Sequence, residues 1–268
     1  MKIKAFAKLN LNLHVFPKIV ETGKHEIHLI NCQINLYDIL DFQKADEYPL
    51  DEDNLIHQAA KLLDLKASVK LQKNIPTLGG LGGGSADAAA TLRGLVKLYK
   101  LKISERKLEK MADTLGSDVS YCLKGGLCEI TGDGNIVKKL NYKLPKLYLI
   151  IIYPKQIKPS TGEMYQGLDN QLIGQNITYL DRLKKAIKNN NPKEIIANLF
   201  NDFELSAIKK YGEILQIKND FKKYGALNAI LLGSGLGVVG FFETKETRNK
   251  SFNYLNKIYK NIIKTETL

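Results

Sequence analysis

The sequence predicts an α+β protein of two domains, 1–150 and 151–268. Three observations lead there. A length of 268 residues suits either one large domain or two smaller ones. Strand-like and helix-like segments are mixed on both sides of the division. The composition also shifts after about residue 154, where a polar, helix-rich stretch (155–225) begins.

The elements follow in order. KIKAFAKLNLNLHVF alternates with period two over residues 3–13, which predicts a strand with one buried face. LINCQINLYDILDFQ (29–43) is further strand material. Asp53 stands where it could N-cap a helix over NLIHQAAKLLDL, whose Leu55, Ala59, Leu62 and Leu63 share a face. Residues 67–72 read as a strand. A glycine-rich loop precedes a helix over 85–99. A second helix starts at Ser104, with Glu105 in its first turn and Gly116 as its stop. LCEIT and LYLIIIY read as strands, as do LNAILL and VVGFFE in the second half, and an amphipathic helix is predicted over 247–264.

A hydrophobic fraction of 44% and a charged fraction of 25% are ordinary for a globular chain. No apolar run approaches the roughly 18 residues of a membrane helix. The N-terminus lacks the apolar core and cleavage site of a secretory signal, so a cytoplasmic location is expected. Cys32, Cys122 and Cys128 are odd in number and fit no C-x-x-C pattern; they read as small buried hydrophobes. The net charge of +12 is dispersed as lysines, which suits a solvated surface. Such a field draws an anionic small molecule as readily as a nucleic acid, so charge alone does not choose between them.

The chemistry is concentrated in IPTLGGLGGGSADAAATLRGL. Gly79, Gly80, Gly82, Gly83 and Gly84 fall within six residues, just before an Ala-rich helix. Without Cβ atoms, consecutive amides can turn toward one anion, and the helix start adds free N–H groups and a positive dipole end. Ser85 could cap that helix or turn its hydroxyl to a phosphate or a metal ion. The segment is not G-x-x-x-x-G-K-[ST], and Gly79–Gly84 does not satisfy G-x-G-x-x-G. Gly235-Leu-Gly237-Val-Val-Gly240 does match the latter formally, but VVGFFE reads as a strand where a dinucleotide site needs a helix. It is read instead as a glycine-rich turn between strands.

The loop PTLGGLGGGSADAA resembles the second motif of the superfamily of galactokinase, homoserine kinase, mevalonate kinase and phosphomevalonate kinase, the GHMP kinases. Its paired glycine clusters are most similar to the branch acting on diphosphocytidyl-methylerythritol. AKLNLNLHV (7–15), DEDNLIHQAAKLL (51–63), LGSDVS (115–120), PSTGEMYQGLD (159–169) and GSG (233–235) agree with that branch in order and spacing. The resemblance implies an N-terminal domain like domain 2 of ribosomal protein S5 and a ferredoxin-like C-terminal domain. It also implies ATP with Mg²⁺, and transfer of the γ-phosphate to the 2-hydroxyl of the methylerythritol unit. ATP would lie on Pro76, Thr77, Leu78, Gly79, Gly80, Leu81, Gly82, Gly83, Gly84, Ser85 and Ala86. Lys8 and Asp118 take the catalytic positions: a fixed cation for the moving phosphoryl group, and a carboxylate that accepts the hydroxyl proton. Asn10, His25 and Tyr165 take positions that hold the cytidine part, with Lys24 beside them.

Three departures from the family pattern stand out. Lys24 occupies the place of an aromatic residue before the histidine, Leu78 that of a further glycine, and Leu236–Gly237 that of small hydroxyl residues. The first keeps open a related kinase with another alcohol acceptor, such as homoserine or mevalonate. A non-catalytic nucleotide- or RNA-binding protein is the remaining alternative, and retention of both Lys8 and Asp118 argues against it. The expected partner is a small-molecule cytidine diphosphate derivative, with no nucleic acid, no membrane, and a monomer or weak homodimer.

Overall fold

The computed structural model describes residues 1–77, 79–155, 160–168 and 173–268. It begins with two long strands, β1 (Lys2–Lys18) and β2 (His25–Lys44), then α1 (Leu55–Leu63), β3 (Ala67–Gln72), α2 (Gly83–Leu98), α3 (Glu105–Leu115), α4 (Ser117–Lys124), β4 (Cys128–Thr131) and β5 (Ile136–Lys139). There follow β6 (Tyr148–Ile152), α5 (Thr161–Gln166), α6 (Thr178–Lys188), α7 (Pro192–Ala197), β7 (Phe200–Asn201), α8 (Glu204–Lys210), α9 (Gly212–Lys223), β8 (Asn228–Leu231), β9 (Val238–Phe242), α10 (Lys245–Leu255) and β10 (Ile262–Glu266).

These strands form two sheets. The first runs β5-β4-β2-β1-β7, with β3 also paired to β2; the second runs β10-β6-β9-β8. Every pairing is antiparallel except β1 with β7. Helix α2 lies on the first sheet through its small residues, with Ala86, Ala88, Ala89 and Ala90 buried. At Gly94 a Cβ would stand 2.7 Å from the Phe42 ring, so the helix lies as close to β2 as a glycine permits. In the second sheet the continuous run Leu149–Ile152 is wholly buried, as an inner strand with both faces covered requires.

Strand β1 is not regular. Its pairing with β2 shifts between Phe6 and Lys8 and again between Asn10 and Asn12. Bulges of this kind re-aim side chains. Here they isolate Lys8–Asn10 as a short segment whose polar groups turn into the molecule.

Several boundaries differ from those predicted. The N-cap of α1 is Asn54 rather than Asp53, because Asn54 Oδ1 accepts the Ile56 amide. Helix α2 starts at Gly83 with Gly82 as its cap, so Ser85 does not cap it and lies within the first turn. Helix α4 replaces the loop expected around Asp118: Gly116, at φ +144°, ends α3 and starts α4 with no linker beyond itself. The last helix stops at Leu255, and Ile262–Glu266 pairs with β6 instead. β-branched Ile262, Ile263 and Thr265 suit that pairing better than a helix end. The three cysteines are free and buried as expected, and burial raises every thiol, that of Cys128 to about 11.

His14 is fully buried, and neither ring nitrogen has a partner among the described residues. Its ring stacks on Phe200 at 4.8 Å and its cross-strand neighbour is His28. Burial, with the nearby His28 charge, lowers its pKa from 6.5 to about 4. The folded state therefore holds the neutral ring. The stability this contributes is full above pH 6.5 and is lost as pH falls from there toward about 4. His14→Phe keeps the stacked ring and removes the titration. Between pH 7 and pH 4 its unfolding free energy relative to the unaltered chain should rise by on the order of 3 kcal/mol, measured by urea unfolding at each pH. A difference independent of pH contradicts this assignment.

Candidate active site

Strand β1 carries Lys8 into a nearly closed position: the residue is 6% exposed. A buried ammonium needs acceptors. Lys8 Nζ donates to Asn10 Oδ1 at 3.0 Å and forms an ion pair with Asp118 Oδ2 at 3.5 Å. Asn10 is oriented in turn, because its Nδ2 donates to Asn31 Oδ1 at 2.6 Å. Asp118 sits in the first turn of α4, with its side chain 41% exposed. One end of the pair is therefore fixed in the protein and the other faces solvent.

The glycine-rich loop passes directly over Lys8. The Lys8 amide donates to Leu81 O at 2.9 Å, and a Cβ on Gly82 would fall 2.9 Å from Lys8 Cγ. Gly79, Gly80 and Gly82 all have positive φ, at +92°, +89° and +65°. Among the described residues, the amides of Gly80, Gly82, Gly83, Gly84 and Ser85 donate to no main-chain or side-chain oxygen. Three of these are the orphan N–H groups at the start of α2. Together they form a nest of unpaired donors at the positive end of a helix, which suits a polyphosphate. Leu78 lies outside the described residues, as do Pro159 and Asp169 at the ends of the PSTGEMYQGLD stretch.

A second glycine turn, between β8 and β9, closes on the first. A Cβ on Gly80 would meet Leu232 O at 2.6 Å, and one on Gly235 would meet the Gly79 carbonyl carbon at 3.2 Å. Gly233 faces Asn10 Oδ1 and Lys8 Nζ, at 3.2 and 3.6 Å from its would-be Cβ. The Leu236–Gly237 departure has a packing reason. Leu236 is buried in the core, and a side chain at Gly237 would strike Tyr153 at 2.7 Å. Asn201 holds the turn by donating from Nδ2 to Leu231 O and Gly233 O, both at 2.9 Å. Nothing in the local sequence marked this residue, since its partners are carbonyls about thirty positions away.

The remaining predicted residues lie toward the tip of the β1–β2 hairpin. His25 and Tyr165 are together, with rings stacked at 5.2 Å and 22°. His25 Nδ1 lies 2.7 Å from Phe16 O. A carbonyl only accepts, so Nδ1 carries the proton and Nε2 is left as an acceptor when the ring is neutral. Tyr165 also meets Phe203 edge-on at 4.9 Å. Lys24 is exposed and paired with Asp133 at 3.0 Å. Asn10 is not part of this group. It sits with Lys8 and Asn31, through hydrogen bonds of 3.0 and 2.6 Å. The candidate residues thus fall into two groups: the nest with Lys8, Asn10 and Asp118, and the stacked pair His25 and Tyr165.

Comparison with known proteins agrees with this geometry. Residues 54–126 match the family described as GHMP kinases N terminal domain, and 183–261 match GHMP kinases C terminal. The 4-diphosphocytidyl-2-C-methyl-D-erythritol kinase of Thermoanaerobacter pseudethanolicus is 38% identical over 100% of this chain and 96% of its own length. That of Clostridium novyi is 35% identical over the whole of both. A crystal structure of 4-(cytidine 5'-diphospho)-2C-methyl-D-erythritol kinase superposes with a TM-score of 0.85 at 25% identity, covering 100% of this chain and 99% of the other. Mevalonate kinase of Methanococcus jannaschii shares the fold, with a TM-score of 0.71 at 16% identity. With full-length relatives of one kind and the two-sheet fold in common, the chain belongs to the GHMP kinases, in the 4-diphosphocytidyl-2-C-methyl-D-erythritol kinase family.

Proposed function

We propose that this kinase transfers the γ-phosphoryl group of ATP to the 2-hydroxyl of 4-diphosphocytidyl-2-C-methyl-D-erythritol. The observation that carries the reading is the nest of free amides opening beside the Lys8–Asp118 pair. ATP supplies the phosphoryl group, and the amides of Gly80–Ser85 and the dipole of α2 hold its phosphates. Lys8, fixed by Asn10, meets the negative charge spread over the moving group. Asp118 accepts the hydroxyl proton through the carboxylate edge left open to solvent. Residues 1–150 supply the nest and the reacting pair, and 151–268 supply the second glycine turn. Ser85, in the first turn of α2 beside the unpaired amides, is the residue that would face Mg²⁺, which would offset the charge on the phosphates.

At the far end, His25 Nε2 accepts from the exocyclic amine of cytosine, and the ring stacks on Tyr165 or on His25. The two side chains touch, so the base lies on an outer face rather than between them. Lys24 is held by Asp133 and contributes no stacking face, and this specific difference favours a second reading in which another alcohol is the acceptor. A cytoplasmic monomer or weak homodimer with no nucleic-acid partner completes the proposal; among the described residues no helix is long and apolar enough to cross a membrane.

The test is ATP turnover against diphosphocytidyl-methylerythritol, mevalonate and homoserine, with Lys8→Met and Asp118→Asn alongside. Phosphorylation of the cytidine compound is expected, with turnover lowered about a hundredfold or more in each variant and the fold retained. Preference for another alcohol selects the second reading; full turnover in either variant removes the assigned chemistry. Lys24→Tyr should tighten binding of a cytidine diphosphate several-fold by adding a stacking face, read by calorimetry. Unchanged or weaker affinity places the base elsewhere.

A further inference from the structure

Three charged side chains beside the phosphate loop take no part in the chemistry above. Asp38 is on β2, Lys73 follows β3, and Asp87 is on α2. Both carboxylates are buried, at 0% and 3% exposure. Lys73 Nζ lies between them, 2.5 Å from Asp38 Oδ2 and 2.7 Å from Asp87 Oδ2. The other oxygen of Asp38 accepts the amides of Asn74 at 2.5 Å and Ile75 at 2.7 Å.

These contacts sit at the two ends of the glycine loop. Asn74 and Ile75 lead into it, and Asp87 follows it by one helical turn. Asp38 grips the leading end directly and reaches the trailing end through Lys73. Asp38 also pairs across the sheet with Ala5, three residues before Lys8. Lys73 Nζ stands 3.1 Å from where a Cβ on Gly83 would be, so it lies against the first residue of α2 as well.

We propose that Lys73, bridging Asp38 and Asp87, is a positioning residue that fixes both ends of the glycine loop to the strand pair carrying Lys8, and so holds the amide nest open for the triphosphate. This rests on the reading of the nest as the ATP site.

Stability alone does not account for the arrangement. A buried ion pair is often no more stabilising than apolar residues of the same size; what it supplies is a fixed geometry. Here two carboxylates share one ammonium, burial raises Asp87 to about 7, and Asp87 Oδ1 has no partner among the described residues. A glycine-rich loop is the segment that most needs such a fixture. Each glycine has more freedom to lose on ordering than any other residue, and a donor nest works best when its reorganisation precedes binding. Tying both ends restricts the loop before the nucleotide arrives.

The test uses the full chain with a non-hydrolysable ATP analogue, its affinity read by calorimetry, together with steady-state kinetics and hydrogen exchange of the loop amides. Lys73→Met should weaken analogue binding about tenfold or more and speed exchange at Gly79–Ser85, while the KM for the acceptor stays within about twofold. Lys73→Arg should recover part of the affinity. The double variant Lys73→Met/Asp87→Asn should remain weak, because neutralising a charge does not restore the tether. Should Lys73→Met fail to fold, Asp87→Asn keeps the question open to decision, with a smaller loss of affinity in the same direction. Unchanged affinity and exchange in the folded variants overturn the proposal even if the melting temperature drops, as does full recovery in the double variant, which would make charge balance the cause. If the unaltered chain bound no ATP analogue, the kinase reading would fail and the clamp with it.

Discussion

Close approach of two glycine turns over one lysine is the constraint on which this structure depends. The glycine-rich loop lies on Lys8, and the turn between β8 and β9 lies on the loop. Gly80, Gly82, Gly233 and Gly235 all occupy positions where a Cβ would reach within 3.2 Å of a neighbouring atom. Real Cβ atoms sit near or beyond the edge of that range, so the glycines are required by contact as well as by their backbone angles. The result is a thin layer of bare backbone between Lys8 on β1 and the turn joining β8 and β9. Its amides are free, because the loop is too short and too curved to pair them internally and the following helix cannot use its first N–H groups.

That layer explains how a charge is kept where one is needed. Gly82 and Gly233 both approach the buried Lys8, and it keeps two acceptors, Asn10 and Asp118. The bulges on either side of Lys8–Asn10 turn the segment inward, and Asn31 locks Asn10. The surroundings of His25 are built differently. There, aromatic contacts between His25, Tyr165 and Phe203 form a patch, and one imidazole nitrogen is fixed by a main-chain carbonyl. Lys24 has been drawn to Asp133, which ties the tip of the hairpin to the turn between β4 and β5.

What the sequence revealed depended on the range of the interactions. The loop was legible because glycines, a serine and a run of alanines are contiguous, and their physics is local. Lys8 and Asp118 were legible through resemblance to a family, since a lysine in a strand and an aspartate after a helix are commonplace alone. Asp38, Lys73 and Asp87 gave no signal: apart, each reads as a solvated charge, and only the fold brings them within 2.7 Å. Asn201 was missed for the same reason. Helix α4 was hidden by Gly116, which reads as a stop but also begins the next helix. At the C-terminus an amphipathic pattern continued past Leu255, yet pairing with β6 claimed Ile262–Glu266. Ser85 looked like a cap only because the helix begins two residues earlier, among glycines that carry no helical signal.

The most direct measurement is a crystal structure of the chain with a non-hydrolysable ATP analogue and a cytidine diphosphate acceptor. Phosphate oxygens are expected within hydrogen-bonding distance of the amides of Gly82–Ser85, with the terminal phosphorus beside Lys8 Nζ and the acceptor hydroxyl at Asp118. A nucleotide bound away from these amides, or a loop whose N–H groups turn to main-chain oxygens when it is full, would contradict it.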